Sequence, residues 1–541
     1  MKINNNYVVI IPALKKTVAF QDDLVKKFSG VLLIQRAINL AIKLVEDSSK
    51  VYILTDSEEI QLIAQRSKIC CFYNSNLKQI DFKIDGEIGA YLQNNLPLNS
   101  LSIILSPYAP LISVELLKKA IEDLLISGKK VLRPVKSYQK NVNEKLNDSI
   151  YNIFDKKEVV LDKTIDSRAF FIVYSGLLIK SSIQENSILP WHISSDIIEI
   201  ESYQDWWVCE KLFNRKKIIF RVIGNKSSGM GHIYRSLSLA HEITDHEILF
   251  ICEPKDKIAV TKFAGYDYRL EVYDSSEIIE KIINLKPDLV INDILSTTDN
   301  DVHPLQENDI MVVNFEDLGD GAKSADLVIN ELYDEPLING NNILWGSKYF
   351  FLREEFFNSK PNQFKNNVDS LLLSFGGTDQ HGLARKIFKV IQPFCQKMNI
   401  TVNIVAGYGS KNFDKLKEEV SFYKNVNLTK STGVMSGIME KSQIAIVSNG
   451  RTTYELAHLN IPAIVISQHQ RESLHTFSSH SGGFISIGQY KAGESELKVI
   501  DALKSLVDNN EYRQSLFNEL IKYDFNLNKS TVINSIYSLI D

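Results

Sequence analysis

Short runs of apolar and β-branched residues alternate along the chain with longer stretches whose apolar positions recur at i, i+3 and i+4. The first pattern predicts strands and the second amphipathic helices. Strands are expected at Tyr7–Ile11, Lys50–Leu54, Ser102–Leu105 and Val131–Val135, with helices at Leu32–Glu46 and Val114–Ser127 between them. The rhythm resumes with strands at Lys217–Ile223, Ile248–Cys252, Asp288–Asn292 and Ile310–Phe315 and a helix over Arg235–Ile243. It restarts with strands at Ser370–Ser374, Thr401–Val405, Ile444–Val447 and Ala463–Ile466, and helices at Leu383–Met398 and Thr452–Leu459. Such alternation predicts α/β domains with parallel sheets, whose ligands sit at the carboxyl ends of the strands.

Two joints interrupt the rhythm. Residues 205–217 read as a helix ending in a basic turn before a new first strand, and residues 357–368 are polar and contain Pro361. The chain therefore divides into a domain over 1–213 and a second over 217–541, the latter made of lobes at about 217–360 and 368–541. A length of 541 residues agrees with more than one domain. The charge balance, 61 Lys+Arg against 66 Asp+Glu, excludes a generic basic nucleic-acid binder. Aromatic residues spread through core-like segments argue against a base-stacking platform. Five cysteines cannot form a dense disulfide framework and fit a reducing compartment. The apolar run Tyr7–Leu14 holds Pro12 and is too short for a signal or a membrane span, so a soluble cytoplasmic protein without stable membrane insertion is expected.

The most specific local chemistry lies at 220–240. A strand ends near Ile223, a loop carries Gly224, Gly229 and Gly231, and a helix opens near His232. Glycines let a ligand approach the backbone, and a helix N-terminus presents free N–H groups to an anion. A neutral imidazole at that place can accept a proton from water. The third glycine of a dinucleotide fingerprint is missing, and a tight turn with a capping histidine remains an equal local alternative.

The stretch Gly229-Met-Gly-His-Ile-Tyr-Arg235 resembles the G-x-G-H-x-x-R opening of the bacterial UDP-sugar hydrolases of the pseudaminic-acid pathway. Spore-coat polysaccharide proteins and, more distantly, MurG-like glycosyltransferases of the GT-B fold are similar to it as well. Further similarities follow in order: Trp345–Phe356, Leu373-Ser-Phe-Gly-Gly-Thr-Asp379, Ser448-Asn-Gly-Arg-Thr-Thr-Tyr-Glu-Leu-Ala457 and Gln470. The resemblance covers about residues 217–490 and implies a GT-B pair of Rossmann-like lobes. It implies hydrolysis of a UDP-linked 2,4-diacetamido-2,4,6-trideoxy-hexose-type sugar with release of UDP and inversion at the anomeric carbon. The setting implied is nonulosonic acid or surface-polysaccharide biosynthesis, and no metal or cofactor is required. It assigns catalysis to His232 and substrate binding to Gly229, Gly231, Arg235, Gly376, Gly377, Thr378, Asp379, Gly450, Arg451, Thr452, Glu455 and Gln470. Local chemistry leaves alternatives open: taken alone Glu455 reads rather as a solvated helix residue, Asp379 as a helix cap, which is compatible with binding, and Arg451 as a surface charge. The sequence departs from the family at Asn292-Asp293-Ile294, Glu316-Asp317, Gly450-Arg451-Thr452 and His469-Gln470-Arg471-Glu472, which bears on the identity of the sugar.

The first domain resembles cytidylyltransferases of the CMP-sialic-acid type. Tyr7-Val-Val-Ile-Ile-Pro12, Phe28–Ile34, Val51–Ile60, Ser106-Pro-Tyr-Ala-Pro-Leu111 and Glu199-Ile-Glu-Ser-Tyr-Gln-Asp-Trp206 carry the likeness, which implies a Rossmann-like nucleotidyltransferase fold. The stretch standing for the family's nucleotide loop, Leu14–Leu24, has no glycine and carries Asp22 and Asp23. Both features oppose triphosphate binding. Glu199 and Glu201 stand at the metal-binding positions and would take Mg2+ only if this domain is catalytic. Lost cytidylyl transfer is therefore the expectation. Glycosyl transfer, a hydrolase joined to an active cytidylyltransferase, and a nucleotide-sugar-binding scaffold are the competing readings. A homo-oligomer and a pathway-enzyme partner both stay open.

Three further groups carry no chemistry on this reading. The spacing of His469, His475 and His480 fits no zinc pattern, so cleft-lining or surface positions are expected for them. Asp22-Asp23 and Arg215-Lys216-Lys217 are expected to be solvated.

Overall fold

A computed structural model describes residues 7–15, 23–80, 86–97, 99–141, 160–178, 184–225, 228–377, 379, 381–407, 410, 413–430 and 434–540. The chain forms two compact units, Met1–Arg215 and Lys216–Asp541. Among the described residues no helix is long and apolar enough to cross a membrane.

In the first unit the sheet runs in the order Ile188–His192, Val131–Asn141, Phe170–Tyr174, Leu101–Leu105, Tyr7–Ala13, Val51–Thr55 and Cys70–Tyr73, with Val160–Asp166 paired to Val131–Asn141. The apolar strand Tyr7–Ala13 is flanked by parallel partners on both sides, Val9 opposite Val51 and Ile103. The expectation of purely parallel sheets fails here. Phe170–Tyr174 runs antiparallel to both its neighbours, and Val160–Asp166 runs antiparallel to Val131–Asn141. Antiparallel neighbours need no helical crossover between them, which the alternation of strands and helices implies. The helix Leu33–Val45 buries Leu33, Ile34, Ala37, Ile38, Ala41, Leu44 and Val45, one face at helical spacing.

The second unit holds two sheets whose strand pairings among the described residues are all parallel. The first runs Arg269–Val272, Glu247–Cys252, Lys217–Val222, Leu289–Asp293, Met311–Phe315, Leu327–Asn330, Ile343–Trp345. The second runs Val426–Lys430, Thr401–Ala406, Ser370–Ser374, Ile444–Ser448, Ala463–Ser467, Phe484–Gln489. Each begins at an inner strand, steps outward and then reverses, which is the doubly wound order with its switch point beside the first strand. Two such lobes in one unit are the GT-B arrangement expected from the sequence. Their strands read as near-continuous apolar runs because helices cover both faces.

Two features tie the lobes together. Phe350 lies in a core with Tyr454, Phe477 and Phe525, whereas its neighbour Phe351 lies in the core of the first lobe with Phe220 and Ile329. Phe350 stacks on Tyr454 at 4.1 Å, and Tyr454 on Phe477 at 4.0 Å. The connecting segment is thus anchored at adjacent residues in opposite cores. The second tie is the last helix, Asn528–Tyr537, which the periodicity leaves with the second lobe. It returns to the first, where Val532, Ile536 and Ile540 join the core of Ile218 and Phe220. Their i, i+4, i+8 spacing forms the stripe that seats it.

Ile536 has no exposed area. Ile536→Ala is expected to lower the unfolding free energy by about 2–5 kcal/mol in urea denaturation of the full chain. A change within about 0.5 kcal/mol, the range of a surface substitution, would show that this helix does not share the first lobe's core.

Candidate functional site

A cavity of about 570 Å³ opens between the strand ends of the two lobes of the second unit. It is lined from the first lobe by Gly229, Met230, Gly231 and His232, and from the second by Gly376, Gly377, Gly450, Arg451, Thr452 and Glu455. The strand Lys217–Val222 feeds the glycine loop, which feeds the helix Gly231–Glu242, so His232 sits in that helix's first turn. The loops of the two lobes approach each other at Gly377, where a Cβ would lie 3.4 Å from the Met230 nitrogen; within the second lobe a Cβ on Gly407 would lie 2.3 Å from the Gly376 carbonyl oxygen, so only glycine fits there. Gly229 and Gly376 also take φ values of +77° and +72°, a region that disfavours side chains.

Behind His232 three neighbouring strands of the first sheet end in acids. Leu289–Asp293 ends in Asp293, Met311–Phe315 is followed by Glu316, and Leu327–Asn330 by Glu331. Arg235, three residues past His232 on the same helix, lies across all of them. Its Nε donates to Asp293 Oδ2 at 2.9 Å, Nη1 and Nη2 lie 3.3 Å from Glu316 Oε2, and Nη1 also donates to Glu331 Oε1. Burial alone would push the Asp293 carboxyl up, but Arg235 and then His232 outweigh it and hold it far below the usual carboxylate range. For Glu316 burial again opposes, and the cations led by His232 and Arg235 bring the net shift down. An ionised Asp293 can only accept, so His232 Nδ1, 2.6 Å from Asp293 Oδ1, carries the proton of that bond. Nε2 is then the ring nitrogen left for a ligand. Ser236 Oγ donates to the other carboxylate oxygen at 3.1 Å. Glu316 has φ +54°, a strained backbone for a non-glycine residue at the cavity wall.

The remaining sequence-derived residues fall into two groups. Gly229, Gly231, His232, Gly376, Gly377, Gly450, Arg451, Thr452 and Glu455 all line the cavity. Arg235, Asp379 and Gln470 do not. Arg235 is fully buried behind the cavity wall, where it orders Asp293 and cannot reach a ligand. Asp379 accepts from the backbone nitrogens of Leu383 and Ala384 at 2.6 and 3.1 Å, so its carboxylate caps the helix Leu383–Lys397. Gln470 is exposed at the start of a short helix; Gln468, at the end of the preceding strand, lines the cavity instead and donates to the Phe375 carbonyl at 3.1 Å. Thr378 lies outside the described residues. Neither Glu455 nor Arg451 is a solvated surface residue. Glu455 accepts from Arg353 Nε at 2.8 Å. Arg451 is half-buried, donating to Glu331 Oε1 at 2.6 Å and to the Phe351 carbonyl at 3.0 Å. Burial lowers its guanidinium below the ordinary value.

Sequence reasoning assigned no role to Asp293, Glu316, Glu331, Arg353, Arg471 or Glu472. A signal for the acids exists: Leu-Val-Ile-Asn-Asp at 289–293 and Leu-Val-Ile-Asn-Glu at 327–331 are nearly the same pentapeptide, an apolar strand running into Asn and an acid. Of the late histidines, His469 and His475 line the cavity and His480 is exposed. His475 Nδ1 donates to the Asn449 carbonyl at 2.8 Å, and burial lowers its pKa. Glu472 accepts from the Gln468 backbone nitrogen at 2.6 Å, and burial pushes its carboxyl up to about 7.

In the first unit the expected solvation of Asp23 is wrong: it is fully buried, with Oδ1 accepting from the Leu24 nitrogen at 2.7 Å and from the Tyr108 hydroxyl at 3.2 Å. Asp22 lies outside the described residues. Asp56 accepts from the Lys15 backbone nitrogen at 2.8 Å, and Lys15 Nζ pairs with Glu59 at 3.0 Å. Glu199 is engaged by Lys136 at 3.1 Å and by the Ser167 hydroxyl, while Glu201 is exposed beside Arg168. The two carboxylates are thus turned to different partners, and among the described residues no group of three His, Cys, Asp or Glu side chains converges on one point. Of the basic run, Arg215 is exposed, whereas Lys217 is half-buried and donates through Nζ to the Leu285 carbonyl at 3.0 Å.

No family model matches the chain. It is 27% identical over 274 residues to an uncharacterised protein of Methanocaldococcus jannaschii, an alignment covering 47% of this chain and 56% of that one. The chain thus spans little more than half the length of this relative. It is 25% identical over 280 residues to the spore coat polysaccharide biosynthesis protein SpsG of Bacillus subtilis, covering 49% of this chain and 81% of that protein. It is 25% identical over 285 residues to UDP-2,4-diacetamido-2,4,6-trideoxy-beta-L-altropyranose hydrolase of Campylobacter jejuni, covering 49% and 97%. Among solved structures, Acinetobacter baumannii MurG is 12% identical, covering 60% of this chain and 99% of that one with a TM-score of 0.44. A CMP:2-keto-3-deoxy-manno-octonic acid synthetase complexed with CTP is 10% identical, covering 38% and 98% with a TM-score of 0.29.

Glu472 supplies a pH-dependent stability term. Its raised carboxyl binds a proton more tightly folded than unfolded, so its contribution is fully present below the unfolded value and is lost as pH rises toward about 7. Glu472→Gln keeps the carbonyl acceptor and removes the charge. Its stability relative to the parent is expected to rise by about 3 kcal/mol between pH 4.5 and pH 8 in urea denaturation. A difference that stays flat with pH would show that Glu472 is ionised throughout.

Proposed function

We propose that the second unit cleaves a UDP-linked amino-sugar, with water attacking the anomeric carbon and UDP leaving. One observation carries this reading: His232, oriented through Nδ1 by an ionised Asp293, lines the same cavity as the glycine loop at Gly376–Gly377 and the helix start at Gly450–Thr452. The names of the spore-coat and hydrolase relatives support the sugar-nucleotide class and a role in surface-polysaccharide chemistry.

In this reading the backbone N–H groups near Gly377 and Thr452 take the diphosphate, where a helix N-terminus favours negative charge. The sugar faces His232. Nε2 accepts a proton from water as the water oxygen bonds to the anomeric carbon. The bond from that carbon to the phosphate oxygen breaks, and its electron pair leaves with UDP. The imidazolium that forms is stabilised by Asp293, which stays ionised because Arg235 holds it so. One water is consumed, and one sugar and one UDP result. Glu455, tied to Arg353, keeps a carboxylate at the cavity wall, where it can accept from ribose hydroxyls.

For the first unit we propose a nucleotidyltransferase frame that no longer transfers cytidylyl groups. The Gly-free stretch Leu14–Leu24 and the buried Asp23 within it support this reading, since a phosphate loop needs close backbone approach and positive charge.

Proton NMR of the purified chain with UDP-2,4-diacetamido-2,4,6-trideoxy-hexoses is expected to show UDP release without any acceptor. His232→Ala is expected to lower the rate by about 10²–10⁴. Asp293→Asn, which supplies the wrong hydrogen-bonding partner to Nδ1, is expected to cost on the order of 10⁴. UDP binding with release only on addition of a sugar acceptor would make the unit a glycosyltransferase. For the first unit, CTP with a nonulosonic acid is expected to yield no pyrophosphate, and release of pyrophosphate would overturn its assignment.

A further inference from the structure

We propose that Glu331 is a positioning residue, which holds Arg451 away from the bound diphosphate and joins the anion-binding helix of the second lobe to the His232–Asp293 pair of the first. This rests on the UDP-sugar reading above and adds the internal partner that sets the charge facing the nucleotide.

Arg451 is the first residue of the helix Arg451–His458, whose start lines the cavity. A free arginine at that place would close on a diphosphate. Here the guanidinium is already committed. Nη1 donates to Glu331 Oε1 at 2.6 Å, Nη2 donates to the Phe351 carbonyl at 3.0 Å, and the group lies 4.5 Å from the centre of the Phe350 ring. Glu331 itself has no exposed area, and its carbonyl accepts from the Tyr454 hydroxyl of the same helix at 3.2 Å. Its Oε1 is shared with Arg235 of the first lobe. One buried carboxylate therefore touches both lobes, and a line of direct contacts runs from Arg451 through Glu331, Arg235 and Asp293 to His232.

Removing the Glu331 charge leaves a half-buried cation beside the phosphate site without the carboxylate it is paired with. The nearest replacement is the diphosphate. Nucleotide binding then tightens, while Arg235 loses one of its carboxylates and the base pair loses alignment. A residue with only a structural role would weaken binding and turnover together.

Calorimetry of UDP binding, run beside the turnover assay and a thermal melt, separates these outcomes. Glu331→Gln is expected to bind UDP about tenfold more tightly and to lose about tenfold or more in kcat. Arg451→Met is expected to bind UDP within about threefold of the parent, because its guanidinium is not a phosphate ligand. The double variant is expected to return to the affinity of Arg451→Met, since the tightening runs through Arg451. Glu331→Gln that weakens UDP binding, or leaves both affinity and kcat unchanged, overturns the proposal. If Glu331→Gln does not fold, Arg451→Met decides alone: a loss of about tenfold or more in UDP affinity would place its guanidinium on the phosphates and overturn it. Failure of the parent chain to bind UDP at all would remove the UDP-sugar reading, and this inference with it.

Discussion

Arg235 lies among Asp293, Glu316 and Glu331 with no solvent exposure of its side chain. A guanidinium in that position is stable only while its carboxylates stay charged and close. They stay close because three neighbouring parallel strands end beside one another: Asn292 pairs with Asn314 and Phe315 with Ile329, so Asp293, Glu316 and Glu331 follow at successive one-residue steps within reach of one guanidinium. Asp293 and Glu316 stay charged because the cation outweighs the effect of burial on them. The orientation of His232, the position of Arg451 and the shape of the cavity's inner wall all descend from this arrangement.

Within the second lobe Gly407 packs on the backbone at Gly376 so closely that only glycine fits. At the cavity's outer wall the two lobes come into contact: a Cβ on Gly231 would meet Arg451 and one on Gly377 would meet Met230 at 3.4 Å. The aromatic stack of Phe350, Tyr454 and Phe477 and the returning C-terminal helix keep that separation fixed. Polar recognition is left to the cavity edges, where Arg353, Arg471 and the histidines of the segment 468–475 are found.

Much of the fold was legible because the hydrophobic period changes sharply between strand and helix. The strands at Lys217, Ser370, Thr401, Ile444 and Ala463 begin at or within one residue of where the apolar runs placed them. The antiparallel strand Phe170–Tyr174 was not legible, since alternation alone carries no direction of pairing. In the second unit the glycine loop and His232 stand out in the sequence because their chemistry is local, and the fold places them on the cavity wall. Asp293, Glu316 and Glu331 were hidden because only sheet register unites them, although the repeated Leu-Val-Ile-Asn before two of the acids pointed there. Arg235 read as a ligand contact for the same reason: its spacing puts it on the helix of His232 but does not say which face the carboxylates occupy. Gln470 was misplaced by two residues because a strand end, rather than a helix start, supplies the glutamine at the cavity.

The central claim is that the cavity of the second unit takes a nucleoside diphosphate at its backbone N–H groups, with His232 at the sugar end. A crystal structure of the full chain with UDP tests it most directly. The account predicts the diphosphate against the amides near Gly377 and Thr452, Arg451 still on Glu331, and His232 next to the terminal phosphate with Nδ1 still on Asp293. UDP bound outside this cavity, or with its uracil rather than its terminal phosphate at His232, would contradict it.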